Sequence, residues 1–383
     1  MRVTGIETLE GGRWKFVRVN TDEGLSGVGE LHPGSGTGGT PRSVRAAARQ
    51  CAEYLVGENP LEIERHWQHM FRRCLFRGGP DAMSAIGAID MALWDIKGKA
   101  AGLPVYALLG GPVRDRVRVY RHMQGATPDE LAAEARRLVS EGNTAVRFYP
   151  LGDFASAEMA DASYSRVVGM VEERVAAVRQ AVGPDVDIMI DPVCRLTPPE
   201  ALAVARAIEG SRPFFFEDPI EPDNLDAQAQ LTAQSPIPIA TGERLYTIYQ
   251  FRDLLDRHAA AYIRPDISLA GGISGLKKIA ALAEAEYVGM VPHNPLGPVA
   301  TAACVQVDAA VHNVPVQEYP GREDTAPARD MVKAPIPYED GYLTLPDAPG
   351  LGVELDDEGI RSHPPEPYAR TPVIRPDGSL RDY

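Results

Sequence analysis

Cysteine is scarce in this chain: four in 383 residues, at Cys51, Cys74, Cys194 and Cys304, with no spacing that suits a metal clip. A disulfide-stapled secreted module is therefore excluded, and the thiols read as reduced and mostly packed, with Cys194 the exception to watch. Positive charge is also short. The 39 Lys and Arg face 53 Asp and Glu, a formal charge of −14. Neutralising a phosphate backbone needs clustered basic residues, so nucleic acid is excluded as a partner. The start, Met1-Arg-Val-Thr-Gly-Ile-Glu, lacks the apolar core of a signal peptide, and no membrane span is suggested, so a cytoplasmic protein is expected. A glycine-rich phosphate fingerprint is missing after the first strand, which counts against a doubly wound nucleotide-binding sheet. What is present is ordinary globular composition, 44% apolar and 24% charged, at a length that fits one barrel-sized domain and a smaller one. So acidic a chain suits an anionic substrate only if a bound metal ion reverses the local charge.

Three acidic residues organise the rest. Asp191, Glu217 and Glu243 each close a short apolar run, in Asp-Ile-Met-Ile-Asp-Pro, Phe-Phe-Phe-Glu-Asp-Pro and Pro-Ile-Ala-Thr-Gly-Glu, and successive members lie 26 residues apart. A buried strand, a crossover helix and two loops take about that length, which predicts carboxylates at the same ends of neighbouring parallel strands. Three carboxylates converging at one mouth need a cation, and hard oxygen ligands suit Mg2+. From residue 116 onward the pattern of apolar run, turn and amphipathic helix repeats, with candidate strands at 117–122, 145–150, 187–191, 214–217, 237–242, 261–266, 288–293 and 314–318. Eight strands alternating with helices predict an α/β fold of the parallel-barrel type.

Ahead of the barrel, residues 1 to 30 read as a strand meander and 42–110 as helices, together an α+β domain over 1–115. The Gly-, Ser- and Thr-rich stretch 32–41 is long enough for a lid. The barrel is expected over 116–320, and the Pro- and Gly-rich segment 321–383 is expected to return to the N-terminal region.

Two further runs end in Asp266 and His293, on adjacent candidate strands, and the eighth ends in Glu318. A carboxylate beside an imidazole fixes its tautomer and raises its basicity, which prepares a His to take a proton.

These residues resemble a family. Ser84-Ala-Ile-Gly-Ala-Ile-Asp-Met-Ala-Leu-Trp-Asp-Ile-Lys-Gly-Lys, Gly242-Glu-Arg, Arg264-Pro-Asp-Ile-Ser-Leu-Ala-Gly-Gly-Ile and Pro292-His-Asn-Pro-Leu-Gly-Pro are similar to segments of the enolase superfamily, in particular its sugar-acid dehydratases, the galactonate and mannonate dehydratases. The resemblance implies a capping domain on a (β/α)7β barrel, Mg2+ on Asp191, Glu217 and Glu243, and His293 paired with Asp266 as the base. It implies Glu318 as a hydrogen-bond partner of the substrate and a dimer-based homo-oligomer, often octameric. Arg147 matches an Arg of mannonate dehydratase-like proteins that works with a tyrosine, for which Tyr149 and Tyr164 are the candidates.

The chain departs from that pattern twice. Where these dehydratases carry Asp-x-His, the His being the acid for the departing hydroxyl, this chain reads Asp191-Pro-Val193-Cys194. Where racemases and cycloisomerases carry Lys-x-Lys it reads Val146-Arg-Phe-Tyr, which speaks against a two-base racemase. The leading expectation is a hydro-lyase that takes the proton alpha to the carboxylate of a sugar acid and expels the beta hydroxyl. Epimerisation, lactone or anhydrosugar cycloisomerisation, and a metal-binding member with little turnover remain the alternatives.

Overall fold

The computed structural model describes residues 1–32, 42–73, 77–152, 162–366, 373–375 and 377–381. Residues 33–41 of the expected lid fall outside that set. The chain opens as an antiparallel meander of β1 (Val3–Gly11), β2 (Trp14–Thr21) and β3 (Ser26–Glu30). Gly11 pairs with Trp14, leaving a two-residue turn in which Gly12 adopts a φ of 52°. Left-handed backbone of this kind matches the twist of a hairpin and favours glycine.

Four helices follow: α1 (Arg42–Leu55), α2 (Ile63–Arg72), α3 (Pro80–Ala101) and α4 (Val105–Leu108). Pro80 starts α3 where its missing N–H costs nothing, and Gly102 ends it in the left-handed region. Strand β3 lies directly on α3. A Cβ on Gly29 would stand 1.9 Å from the Ala88 carbonyl oxygen, so two backbones meet where only glycine fits.

The barrel strands are β4 (Arg116–His122), β5 (Ala145–Phe148), β6 (Asp187–Ile190), β7 (Phe215–Glu217), β8 (Ile239–Thr241), β9 (Tyr262–Ile263), β10 (Gly289–Met290) and β11 (Gln317–Tyr319). They pair in parallel and in order from β4 to β10, and β11 pairs back onto β4 with Glu318 beside Tyr120. Seven helices alternate with them: α5 (Pro128–Ser140), α6 (Tyr164–Val182), α7 (Pro198–Ala207), α8 (Leu225–Gln234), α9 (Ile248–Asp256), α10 (Gly272–Ala285) and α11 (Pro298–Ala309). This is a (β/α)7β barrel with an N-terminal capping domain, as the resemblance implies, and its eight strands fall on the predicted apolar runs.

Several ladders are shorter than the apolar runs that form them. Pro192, Pro265 and Pro292 follow the strands and bring no N–H to the ladder. Pairing therefore stops, and the next side chains, Asp266 and His293 among them, are held at the mouth by a single parallel bridge between those two residues. Thr127, Thr197 and Thr247 then cap α5, α7 and α9, the last two through capping boxes with Glu200 and Gln250.

The C-terminal segment departs from expectation. A hairpin of β12 (Tyr338–Glu339) and β13 (Tyr342–Thr344) joins the barrel through antiparallel pairing of β13 with β4. Only afterwards does the chain return to the capping domain. There α12 (Asp357–Ser362) packs by β1, and Asp357 pairs with Arg18 at 2.5 Å. The sequence of this segment has no periodicity that names its strand partner, so its attachment to the barrel edge is not legible there. Among the described residues no helix is long and apolar enough to cross a membrane.

One buried group sets a stability prediction. Asp308 on α11 is fully buried, and neither carboxylate oxygen has a hydrogen-bond partner. Burial pushes its carboxyl up to about 8, against a smaller opposing pull from Arg114. An unfolded Asp titrates near about 3.9, so between about pH 4 and pH 8 the native state holds the extra proton. This contribution is complete below the unfolded value and is lost as pH rises through the folded one, with a slope of up to about 1.4 kcal/mol per pH unit. Asp308→Asn should flatten that slope in urea unfolding measured from pH 5 to pH 8. Equal slopes in the two proteins would show that the carboxyl is ionised when folded.

Candidate active site

Side chains at the C-terminal ends of all eight barrel strands meet at one mouth. Arg264, just past β9, is their hub and is wholly buried. Its Nη2 stands 2.8 Å from Glu217 Oε1 and 2.8 Å from Glu318 Oε2, and its Nη1 donates to the Tyr120 hydroxyl at 2.7 Å. Two carboxylates from opposite sides of the barrel are thereby held on one planar cation, a geometry that suits Arg better than Lys.

Glu318 on β11 takes three hydrogen bonds, completed by the Asn294 backbone N–H at 2.9 Å and His122 Nε2 at 2.8 Å. Burial alone would raise its pKa, but Arg264, His293 and His122 hold it well below the ordinary carboxylate range. His122 ends β4. Its burial, and then the charge of Arg147, lower its pKa to about 3, so it is neutral and donates Nε2–H to Glu318.

The expected pairing of His293 with Asp266 is in place. His293 Nδ1 lies 2.9 Å from Asp266 Oδ2, while Asp266 Oδ1 accepts the backbone N–H groups of Ser268 and Leu269 at 2.9 and 3.0 Å. The carboxylate is thus fixed, and it directs the imidazole to carry its proton on Nδ1 and to turn Nε2 to the mouth. Nε2 lies 3.2 Å from Glu243 Oε2. Burial opposes a charge on this ring, yet Glu243, Glu318 and Asp266 outweigh it and raise the imidazole to about 9.

The acidic trio emerges from β6, β7 and β8, and it is not equally spaced in space. Arg147 at the end of β5 forms an ion pair with Asp191 and stands 3.3 Å from Glu217 Oε1. It is held strongly protonated: burial works against the charge, but Glu217 and the groups around it outweigh that. Among the described residues, the carboxylates close enough to share one ion are Glu217, Asp218 and Glu243, with one oxygen of each within 4.8 Å of the others. Asp218 Oδ2 is buried without a hydrogen-bond partner. Burial first, and then the charge of Glu243, raises the Asp218 carboxyl to about 7. Crowded oxygen donors with an orphaned member fit a hard divalent cation.

Both candidate tyrosines are described. Tyr149 lays its ring against the Arg147 guanidinium, 4.1 Å from centroid to Cζ, and belongs to the mouth. Tyr164 starts α6 and is 52% exposed. Val193 sits buried on the turn after β6, its N–H donating to Asp191 Oδ1 at 2.6 Å. Val193 and Cys194 have φ of 57° and 60°, a rare conformation for a β-branched residue and one that concentrates backbone strain beside Asp191.

Sequence pattern alone does not single out four residues of this mouth: His122, Arg264, Asp218 and His32. His122 ends the first candidate strand, so the rule that finds Glu217 applies to it equally. Arg264 and Asp218 flank recognised residues, but only the folded barrel shows what they hold. His32 comes from the capping domain, and its Nε2 lies 3.7 Å from Asp266 Oδ2.

Residues 130–359 match a family model described as enolase C-terminal domain-like, and residues 2–110 match the mandelate racemase / muconate lactonizing enzyme N-terminal domain. A D-galactonate dehydratase of Variovorax paradoxus is 40% identical over the full length of both chains, and one of Ralstonia nicotianae is 39% identical with the same coverage. Among solved structures, an enolase from Agrobacterium radiobacter with sodium and L-malate bound aligns over all of both chains at 32% identity and a TM-score of 0.92. A member of the enolase superfamily from Salmonella Typhimurium aligns at 30% identity and a TM-score of 0.88, over 95% of this chain and 98% of its own. With its cap, its barrel and its mouth of strand-end acids and bases, the chain belongs to the enolase superfamily.

Proposed function

We propose that this protein is a Mg2+-dependent dehydratase of sugar acids, with Asp191, Glu217 and Glu243 as metal ligands and His293, oriented by Asp266, as the base. The observation that carries the reading is the placement of the His293–Asp266 pair against the acidic cluster, with His293 Nε2 3.2 Å from Glu243. The full-length likeness to D-galactonate dehydratases supports the reaction class. When bound, the ion supplies the positive charge against which the carboxylate of the substrate binds and its enediolate is stabilised.

The chain's own residues do the rest. With a cation held by Glu243, the charge that raises His293 to about 9 would weaken, and Nε2 would then take the proton alpha to the carboxylate while Asp266 stabilises the imidazolium that results. Glu318, anchored by Arg264 and the Asn294 N–H, keeps its position while its neighbour His122 stays neutral. Arg147 and Arg264 offset part of the charge of the buried carboxylates, and a bound ion would supply the remaining positive charge that an anionic substrate needs in a chain of charge −14. Loss of the beta hydroxyl then gives an enol that tautomerises to a 2-keto-3-deoxy acid.

The test is incubation of the Mg2+-loaded protein in D2O with D-galactonate, D-mannonate, D-gluconate, galactarate and their lactones, followed by NMR. Alpha-proton exchange with formation of a 2-keto-3-deoxy acid is expected. Exchange with an isomeric product in place of water loss would move the protein to epimerisation or cycloisomerisation, and silence across the panel would refute the reading.

A further inference from the structure

Expelling a hydroxyl as hydroxide is slow, and a placed proton donor commonly contributes about 10²- to 10⁴-fold. The mouth contains few groups that can act in this way. Asp266 and Glu318 are held as ionised acceptors, by His293, Ser268 and Leu269 for Asp266 and by His122, Arg264 and Asn294 for Glu318. His122 has its Nε2 committed to Glu318. Arg147 and Arg264 are bound into carboxylate pairs and are too weakly acidic to give up a proton. Val193 has no proton to give.

The capping domain brings one more imidazole. His32 follows β3 and is set by two contacts across domains and elements. Its backbone N–H donates to Ser84 Oγ on α3 at 2.9 Å, and the Ser268 hydroxyl of the β9 loop donates to the Glu30 carbonyl at 2.7 Å. Ser268 also donates its N–H to Asp266, so the strand end of the cap and the carboxylate of the base pair share an anchor. His32 Nε2 reaches within 3.7 Å of the same Asp266 oxygen that orients His293. The two imidazole rings lie 6.5 Å apart between centroids with planes inclined by 28°. One nitrogen of each ring and an Asp266 oxygen all fall within 4.8 Å of one another.

We propose that His32, held beside Asp266 by the capping domain, is the general acid that protonates the departing beta hydroxyl. The alpha hydrogen and the hydroxyl on the next carbon are neighbours on the substrate, so two imidazoles side by side can serve both. In the step, the C–O bond to the beta carbon breaks as the enediolate electron pair forms the C=C bond of the enol. The His32 N–H bond breaks and a new O–H bond forms, so water leaves and His32 is left neutral, to be reprotonated from solvent. The assignment also makes turnover depend on the cap, because the acid belongs to one domain and the base to the other. It rests on the dehydratase reading above, and its test separates the two.

The experiment compares wild type, His32→Asn, His32→Gln and Tyr149→Phe with D-galactonate, or whichever acid of the panel wild type dehydrates fastest, and with the 3-deoxy-3-fluoro analogue of the same acid. Fluoride leaves without a proton, so a variant lacking only the acid retains its release. Both His32 variants should lose about 10²- to 10⁴-fold in water elimination. They should keep alpha-proton exchange in D2O and fluoride release within several-fold of wild type. Undiminished water elimination in His32→Asn would overturn the assignment. Loss of exchange and fluoride release together would overturn it as well, by making His32 a support of the base pair. The same split in Tyr149→Phe, with His32→Asn active, would transfer the role to Tyr149. If wild type itself neither exchanges nor eliminates, the reading of the reaction fails first and this assignment falls with it.

Discussion

His293→Asn should bind Mg2+ as wild type does and lose exchange of the substrate alpha proton by about three orders of magnitude, the range in which a placed base acts. Asn can still donate to Asp266 Oδ2, which lies 2.9 Å from His293 Nδ1, so the carboxylate keeps a partner and the fold should hold. What disappears is the basic nitrogen turned to the mouth. The same chemistry separates orientation from proton transfer. Asp266→Asn would present an N–H or a neutral oxygen to Nδ1, weaken the imidazolium that forms in the reaction, and lower exchange less than removal of the imidazole does. Exchange is read by NMR in D2O and metal binding by calorimetry, so the two effects are measured independently. Unchanged exchange in His293→Asn would remove it as the base. Lost metal binding in the same variant would show that the 3.2 Å contact between Nε2 and Glu243 holds a ligand in place.

That pair is legible in the amino-acid sequence because each member closes an apolar run, and strand ends on one side of a parallel barrel meet at a mouth. The runs themselves are legible because strands buried on both faces have little choice of residue, and proline stops them at the ends: Pro192 behind Asp191, Pro265 before Asp266 and Pro292 before His293. The rest of the mouth depends on long-range closure. His122 meets Glu318 only because β11 returns to β4, a pairing between segments 196 residues apart in the chain. Arg264 gains its role by reaching Tyr120 on one side and Glu217 on the other. His32 enters from a different domain through contacts to Ser84 and Asp266. Local pattern carries no information about such partners, because nothing in a short window distinguishes a charged strand-end residue that binds substrate from one that neutralises a neighbour.

The proposed metal ligands give the second large effect, because sequence and geometry single out different third members. Even spacing selects Asp191, Glu217 and Glu243, whereas the closest carboxylates are Glu217, Asp218 and Glu243. Asp218 lies one residue past β7 with a φ of 34°, outside the strand that carries Glu217. Its Oδ1 is taken by the Thr241 hydroxyl at 2.5 Å, and its backbone is tied at both ends, to Ala240 and to Cys194. Asp191 is paired with the guanidinium of Arg147, which also contacts Glu217 and Tyr149, so a cation on Asp191 would share or replace that one partner. Asp191→Asn and Glu217→Gln should therefore abolish Mg2+ binding in calorimetry and remove detectable turnover, while Asp218→Asn should keep affinity within several-fold of wild type. Glu217→Gln should also cost stability, about 3 to 5 kcal/mol, because Arg147 and Arg264 would lose a shared buried anion. Asp191→Asn leaves Glu217 beside Arg147, so its loss of metal binding should come with a smaller drop in melting temperature. Retained affinity in Asp191→Asn together with loss in Asp218→Asn would assign the ion to the tight cluster, and Arg147 would then be a permanent counter-ion of Asp191.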